Sequence, residues 1–388
     1  MRVIMLTSFD YPHLGGVSTH IGLLAEGMRD AGATVEIVSL SSVNRCVRRA
    51  LYRVPELAVR RIAPSVGYPI VTRVLTRLLT AAVRQRAESR NGPTESGVII
   101  CNDVIAAAAS RGCAGWRRVL TVHGYFAREL VDGGRLRFGS GGFTWAEEME
   151  RNAYGRVDGL VTVDERLRRH VHDVSGRDPV VIRNFVRSTE SAVALDKQEG
   201  KRQLGLAADV PIVLCARRLV PKNGVVWALR ASNLLQLRGI THRLLIVGDG
   251  PERESLRAEI QDDHVTLVGE VPHERMGAYY GCADVSVVPS IPSHGVEEAT
   301  SMTALESMAR MVPVVATEIG GLREIVDHGT TGLLVPATNV GCLAEAIQRL
   351  ILDGEMRQRI AVNARQYVAA FHSVDSAVAA FFRLVEGL

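Results

Sequence analysis

Residues 243–251 read Arg243-Leu244-Leu245-Ile246-Val247-Gly248-Asp249-Gly250-Pro251. An unbroken apolar run, a glycine turn and a proline describe a buried strand that feeds the first turn of a helix. A strand apolar on both faces belongs in a parallel sheet covered on both sides. The same pattern repeats outward. Pro211 to Ala216 precedes it, and Val265 to Val268, Val285 to Val288, Pro313 to Ala316 and Gly332 to Val335 follow. The N-terminal half reads alike, with strands expected at Arg2 to Thr7, Thr34 to Leu40, Val98 to Cys101, Arg118 to Val122, Gly159 to Val163 and Val180 to Arg183. Val17 to Asp30 is an amphipathic helix with Ile21, Leu24, Ala25 and Met28 on one face. The apolar signal fades between Arg187 and Asp209, which marks a connector. The expected fold class is therefore α/β, with two domains and a cleft between them: residues 1–187, completed by a C-terminal helix over 366–388, and residues 188–365.

Composition narrows the class. The chain has 388 residues, 47% hydrophobic and 23% charged, which suits a globular enzyme and excludes a disordered or collagen-like chain. No apolar run reaches the roughly 18 to 20 residues that span a bilayer. The N-terminal run, Val3 to Leu6, is too short for a secretion signal, so a cytoplasmic protein is expected. The six cysteines lack CxxC spacing, which fits reduced structural thiols and argues against zinc. The net charge is +4, but Arg45 to Arg90 holds eleven Arg against only Glu56 and Glu88. There Arg73, Arg77 and Arg84 recur at near-helical spacing beside Val74, Leu78, Leu79 and Val83, which suits an anionic membrane surface or, more simply, a solvated helix. Aromatic residues make up only 5% of the chain, so nucleic acid is not expected as a partner.

Five motifs sit where strands end, the place at which open α/β sheets bind ligands. Gly15-Gly16 joins the first strand to the first helix, where bare backbone and a helix start favour an anion. Gly248-Asp249-Gly250 begins like a dinucleotide fingerprint, but Arg253 stands where the third glycine belongs, so no nicotinamide or flavin cofactor is implied. Arg217-Arg218-Leu219-Val220-Pro221-Lys222 offers fork and point-charge donors to a diphosphate. Glu298 and Glu306 flank a helix start at Ser301-Met302, with Glu298 in the loop and Glu306 on an otherwise apolar helix. His123 ends a strand and can face a ligand as donor or proton carrier. Each has a plainer reading as turn, solvated loop or core residue. No metal-ligand spacing is present, and no Asp-x-Asp pair occurs.

Taken in order, these motifs resemble the GT-B glycosyltransferases, most closely the retaining glycosyltransferase family 4, also described as glycosyl transferases group 1. The resemblance runs along nearly the whole chain. It rests on Gly15-Gly16, Arg217 or Arg218 with Lys222, Gly248 to Pro251, Pro289-Ser290, Glu298 to Glu306, Pro313-Val314-Val315 and Gly320-Gly321. It implies two Rossmann-like domains facing a central cleft, the first on the acceptor side and the second binding a nucleoside-diphosphate sugar. By the same resemblance Gly15, Gly16, Gly248, Ser301 and Met302 approach the donor, and Arg217 (or Arg218) and Lys222 neutralise the departing diphosphate. Glu298 holds the donor sugar, Glu306 holds the ribose, and His123 lies by the reacting carbon. The family's Glu-x-Phe-Gly is here Glu298-Ala299-Thr300-Ser301, and Asn223 stands between Lys222 and Gly224.

The resemblance implies a sugar transferred to an acceptor hydroxyl with retention, without a metal or a bound cofactor, in surface polysaccharide or glycolipid synthesis. The partners are then the nucleotide sugar and a carbohydrate or lipid-linked acceptor. A nucleotide-sugar epimerase and a non-catalytic binding protein on the same fold are the alternatives.

Overall fold

The structure is a computed structural model that describes residues 1–12, 15–50, 64–88, 97–187, 197–293 and 297–388. His13 and Leu14 of the Gly-Gly loop lie outside the described residues. So do 51–63 and 89–90 of the basic segment and 188–196 of the connector.

The chain forms two compact units that part at Arg183/Asn184, and Asp375–Leu388 belongs to the first. The first unit holds β1 (Arg2–Leu6), β2 (Thr34–Val38), β3 (Val98–Cys101), β4 (Arg117–Val122), β5 (Gly159–Thr162) and β6 (Val180–Val181), all parallel, in the order β2-β1-β3-β4-β5-β6. The second holds β7 (Ile212–Ala216), β8 (Arg243–Val247), β9 (Val265–Gly269), β10 (Val285–Val288), β11 (Val314–Thr317) and β12 (Gly332–Val335). Their order is β12-β11-β10-β7-β8-β9, again all parallel. Counted from its own first strand, this is the doubly wound order 3-2-1-4-5-6.

Alternate residues of each strand explain why the runs are apolar throughout. On one face of the second sheet Val213, Cys215, Leu244, Ile246, Val285 and Val287 pack under Leu229 and Leu235 of the helix Val225–Leu237 and Leu343 and Ile347 of the helix Val340–Leu352. On the other face Ile212, Leu214, Leu245 and Val247 meet Met276, Tyr280 and Cys282 of the helix Met276–Cys282. Val288, Val314 and Ala316 meet Leu305 and Met308 of the helix Met302–Ala309. A period-2 strand buried on both faces is apolar at nearly every position, and the exception in β10, Ser286, accepts a hydrogen bond from Ser307 (2.8 Å).

The stretch 366–388, expected as one helix, is two. Gly354–Phe371 ends at His372, and Val374–Glu386 begins after Ser373. The break is stitched to the second unit: Val186 N–H donates to the His372 carbonyl (2.9 Å), and His372 Nδ1 lies 2.7 Å from the Asn184 carbonyl. The final helix packs on the first unit, where Arg117 donates to the Val385 carbonyl and Leu388 lies against Gly159.

Among the described residues, no helix is long and apolar enough to cross a membrane. All six cysteines are free thiols, and burial pushes Cys101 and Cys215 up to about 12, far from thiolate reactivity.

Candidate functional site

In a doubly wound sheet the strand order reverses at one place, and ligands bind beyond the strand ends there. In the second unit that place lies between β7 and β10. The loop after β7 carries Arg217 to Gly224, and the loop after β10 carries Ser290 and, further on, Glu298 and Ser301.

Glycines let these loops approach closely. Gly248 has φ +136°, and a Cβ there would lie 2.1 Å from the Arg217 carbonyl oxygen. Gly224, at φ +62°, would put a Cβ 2.0 Å from the Pro289 carbonyl oxygen. Any side chain would therefore push the β8 and β10 loops away from the β7 loop. Arg217 N–H donates to the Val247 carbonyl (2.9 Å) and Leu219 N–H to the Asp249 carbonyl (3.0 Å), which ties the loops in register. Gly248 thus backs Arg217 through the main chain.

Arg217 is the centre of the site and is only 8% exposed. Its Nη1 donates to Ser301 Oγ (3.0 Å) and Glu298 Oε1 (3.2 Å). Its Nη2 donates to Asn223 Oδ1 (2.7 Å), Glu298 Oε2 (2.8 Å) and Ser290 Oγ (2.9 Å). Arg218, one residue on, is exposed. The two arginines that the sequence left undistinguished are thereby told apart. Burial pushes the Glu298 carboxyl up, but the Arg217 charge and hydrogen bonds, with Lys222 and Ser290, outweigh it and hold the group below 4.5. Glu298 is therefore a carboxylate at neutral pH, and Lys222 lies within its field.

Ser301, where the family has glycine, has φ −74°, an ordinary backbone for any residue. It caps the helix Met302–Ala309 by accepting the Ala304 N–H, and its hydroxyl also accepts from Arg217. By helix geometry the first-turn N–H groups of Met302 and Thr303 have no intrahelical acceptor, so the site presents donors beside Arg217.

Glu306, on the same helix, is 7% exposed. Tyr280 Oη donates to its Oε2 (2.7 Å), and His273 Nδ1 lies 3.9 Å from its Oε1. Burial, then the Glu306 charge, hold the Tyr280 hydroxyl well above 10, so it stays a donor. The loop before the helix is backed by the second glycine pair: Gly321 N–H donates to the Glu298 carbonyl (2.8 Å) and Gly320 N–H to Glu297 Oε2 (3.0 Å).

The remaining expected residues belong to the first unit. Its order reverses between β1 and β3, and His123 follows β4. His123 Nε2 lies 3.4 Å from Asn102 Oδ1, and its ring meets that of buried His20 edge-on, with centroids 4.6 Å apart. Burial, then the His20 ring, hold His123 well below 6.5, so it is neutral at pH 7. Gly15, at φ +147°, precedes the helix Gly16–Asp30, and both glycines are exposed.

Asn223, Ser290, Tyr280, Glu297, His20 and Asn102 were given no role by the motifs. Asn223 and Ser290 stand within the motifs Arg217–Gly224 and Pro289-Ser290, but an amide or hydroxyl carries no signature by itself. Tyr280 lies on a helix before β10, far in sequence from Glu306, and nothing local pairs them.

The family described as Glycosyltransferase Family 4 matches residues 14–190, and that described as Glycosyl transferases group 1 matches residues 196–367. The D-inositol 3-phosphate glycosyltransferase of Acidothermus cellulolyticus is 30% identical over 387 residues, covering 92% of this chain and 82% of that protein. The GDP-mannose-dependent alpha-(1-6)-phosphatidylinositol monomannoside mannosyltransferase of Mycobacterium tuberculosis is 33% identical over 183 residues, 46% of this chain, and the match spans only 48% of that relative's length. Sucrose-phosphate synthase from Thermosynechococcus elongatus superposes with a TM-score of 0.77 over 100% of this chain and 99% of its own, and at 20% identity the likeness is one of fold. With its two doubly wound units and both family matches in order, the chain belongs to the GT-B glycosyltransferases, family 4 in its N-terminal half and group 1 in its C-terminal half.

Proposed function

We propose that this protein is a retaining glycosyltransferase that takes a sugar from a nucleoside-diphosphate sugar and passes it to an acceptor hydroxyl without a metal. The observation that carries this reading is the buried Arg217, bonded at once to Glu298 and to Ser301 at a helix start. Departure of a diphosphate puts negative charge where Arg217, Lys222 and the first-turn N–H groups of Met302 and Thr303 supply positive potential. Glu298, kept ionised, accepts hydroxyls of the donor sugar, and Glu306 accepts those of the ribose. Developing positive charge on the sugar carbon is favoured by the Glu298 carboxylate. The second unit is then the donor side, and the first, with neutral His123, the acceptor side.

The names of two relatives support a phosphorylated or lipid-linked acceptor, as in surface polysaccharide or glycolipid synthesis at the cytoplasmic face of a membrane. The test is to screen UDP, GDP, ADP and dTDP for thermal stabilisation with and without magnesium, then to follow the matching sugar nucleotides by NMR. Stabilisation by one diphosphate in chelator, and a product with the donor's anomeric configuration, are expected. An inverted product would overturn retention, and turnover of donor without acceptor would favour the epimerase.

The described part of the basic segment supports a peripheral membrane role. On the helix Pro64–Glu88, Ile70 is exposed beside exposed Arg73 and Arg77. Tyr68 of that helix packs with Leu136 in a loop where Phe138 is 72% exposed next to exposed Arg137. Exposed apolar groups among arginines suit anionic headgroups. Cosedimentation with vesicles containing phosphatidylglycerol, and not with pure phosphatidylcholine, is expected, weakened in an R73A/R77A/F138S variant. Equal sedimentation with both vesicles would sink the idea.

A further inference from the structure

We propose that Asn223 is a positioning residue that aligns the Arg217 guanidinium for the diphosphate of the donor. This rests on the donor-site reading above. Asn223 closes the turn Pro221–Asn223 and is 7% exposed. Both ends of its amide are engaged. Oδ1 accepts from Arg217 Nη2 (2.7 Å), and Nδ2 donates to the Arg218 carbonyl (2.7 Å). The amide orientation is unambiguous, because a guanidinium can only donate and a carbonyl can only accept.

The three acceptors at Nη2 differ in kind. Glu298 is charged and its side chain keeps 15% exposure against 6% for Arg217, so on the donor-site reading a sugar hydroxyl competes for its oxygens. Asn223 is neutral and anchored to the main chain at its other end, so its hold does not depend on what Glu298 binds. It also adds no second negative charge against the guanidinium, which Glu298 already opposes from one side. A carboxylate in its place would oppose Arg217 from a second side and compete with the diphosphate. The same turn carries Lys222, whose carbonyl accepts the Ile291 N–H (2.9 Å), so one short segment sets both cations of the clamp.

The experiment measures Kd for whichever of UDP, GDP, ADP and dTDP binds the wild type best, and for its monophosphate. It compares wild type, Asn223→Ala and Asn223→Asp by calorimetry, with circular dichroism melts to verify folding. In both variants the diphosphate is expected to weaken about tenfold and the monophosphate less than about threefold, because only the diphosphate reaches Arg217. A purely structural Asn223 would weaken both nucleotides alike, and that outcome, or no change in either, overturns the proposal. If Asn223→Ala does not fold, the nearly isosteric Asn223→Asp carries the comparison. A wild type that binds none of the four diphosphates overturns the donor-site reading and this proposal together. A wild type that binds with an unchanged ratio in the variants overturns this proposal alone.

Discussion

Arg217→Ala is expected to lower kcat by roughly 10³-fold or more, as removal of a cation that stabilises a departing phosphate does elsewhere. Lys222 and the helix start remain, so the diphosphate keeps part of its positive surroundings. Arg217→Lys keeps the charge but cannot satisfy Glu298, Ser301, Ser290 and Asn223 together, and an intermediate loss is expected. Arg218→Ala should cost far less, since that side chain is exposed and its structural contribution is its carbonyl. Initial rates with saturating acceptor decide the order. Arg218→Ala as damaging as Arg217→Ala would overturn the assignment.

The same substitution carries a stability signature. Breaking a buried ion pair costs about 3 kcal/mol, near the low end here because Glu298 keeps some exposure, and lowers Tm by roughly 6–12 °C in a unit of this size. The pH dependence also changes sign. In the wild type Glu298 has a folded pKa below its ordinary 4.5, so its contribution is complete above that value and is lost as pH falls through the folded value. Without Arg217 the largest influence left is burial, which raises the folded value. Ionisation then opposes folding, and the contribution declines as pH rises. The gap in Tm between wild type and Arg217→Ala should therefore widen as pH rises through the ordinary carboxyl value of 4.5. A gap that stays constant would mean that Arg217 does not hold Glu298 ionised.

Glu306→Ala is expected to weaken nucleotide binding by about 10- to 100-fold, the cost of losing hydrogen bonds to a charged group. Tyr280 is left without the acceptor for its hydroxyl, so a fall in Tm accompanies the loss. The ribose role has its own readout. Wild type should prefer a ribonucleoside diphosphate over its 2′-deoxy analogue, and Glu306→Ala should bind the two alike. Glu306→Gln keeps an acceptor for Tyr280 and should recover Tm more than affinity. An undiminished preference for ribose in Glu306→Ala would move ribose recognition elsewhere, with His273 the neighbouring group to examine.

The strands were legible because their signal is local. Ile212 to Ala216 is apolar at every residue and Val285 to Val288 at all but Ser286, and only a strand covered on both faces needs such a run. The helix break at His372 was not legible. No glycine or proline marks it, and its cause is the hydrogen bonding of His372 to Asn184 and Val186, far away in sequence. Arg217 and Arg218 show the same limit within the site. Successive side chains of an extended segment point to opposite sides, so one of the two had to face inward, but the choice depends on register. That register is set by bonds from the Arg217 and Leu219 N–H groups to the carbonyls of Val247 and Asp249.

The sequence alone determined the α/β class, the strand positions, the carboxylates Glu298 and Glu306, and a loop rich in cations, since each follows from residue type and short-range spacing. Only the tertiary structure decided that Arg217 is the buried cation, that Asn223 and Ser290 hold it, and that Tyr280 orients Glu306. Ser290 follows β10 and Arg217 follows β7, and they meet because the doubly wound order places those strands side by side. Tyr280 reaches Glu306 from the helix before β10, and Asn223 folds back on Arg217 within the β7 loop, contacts that residue type and local spacing do not specify.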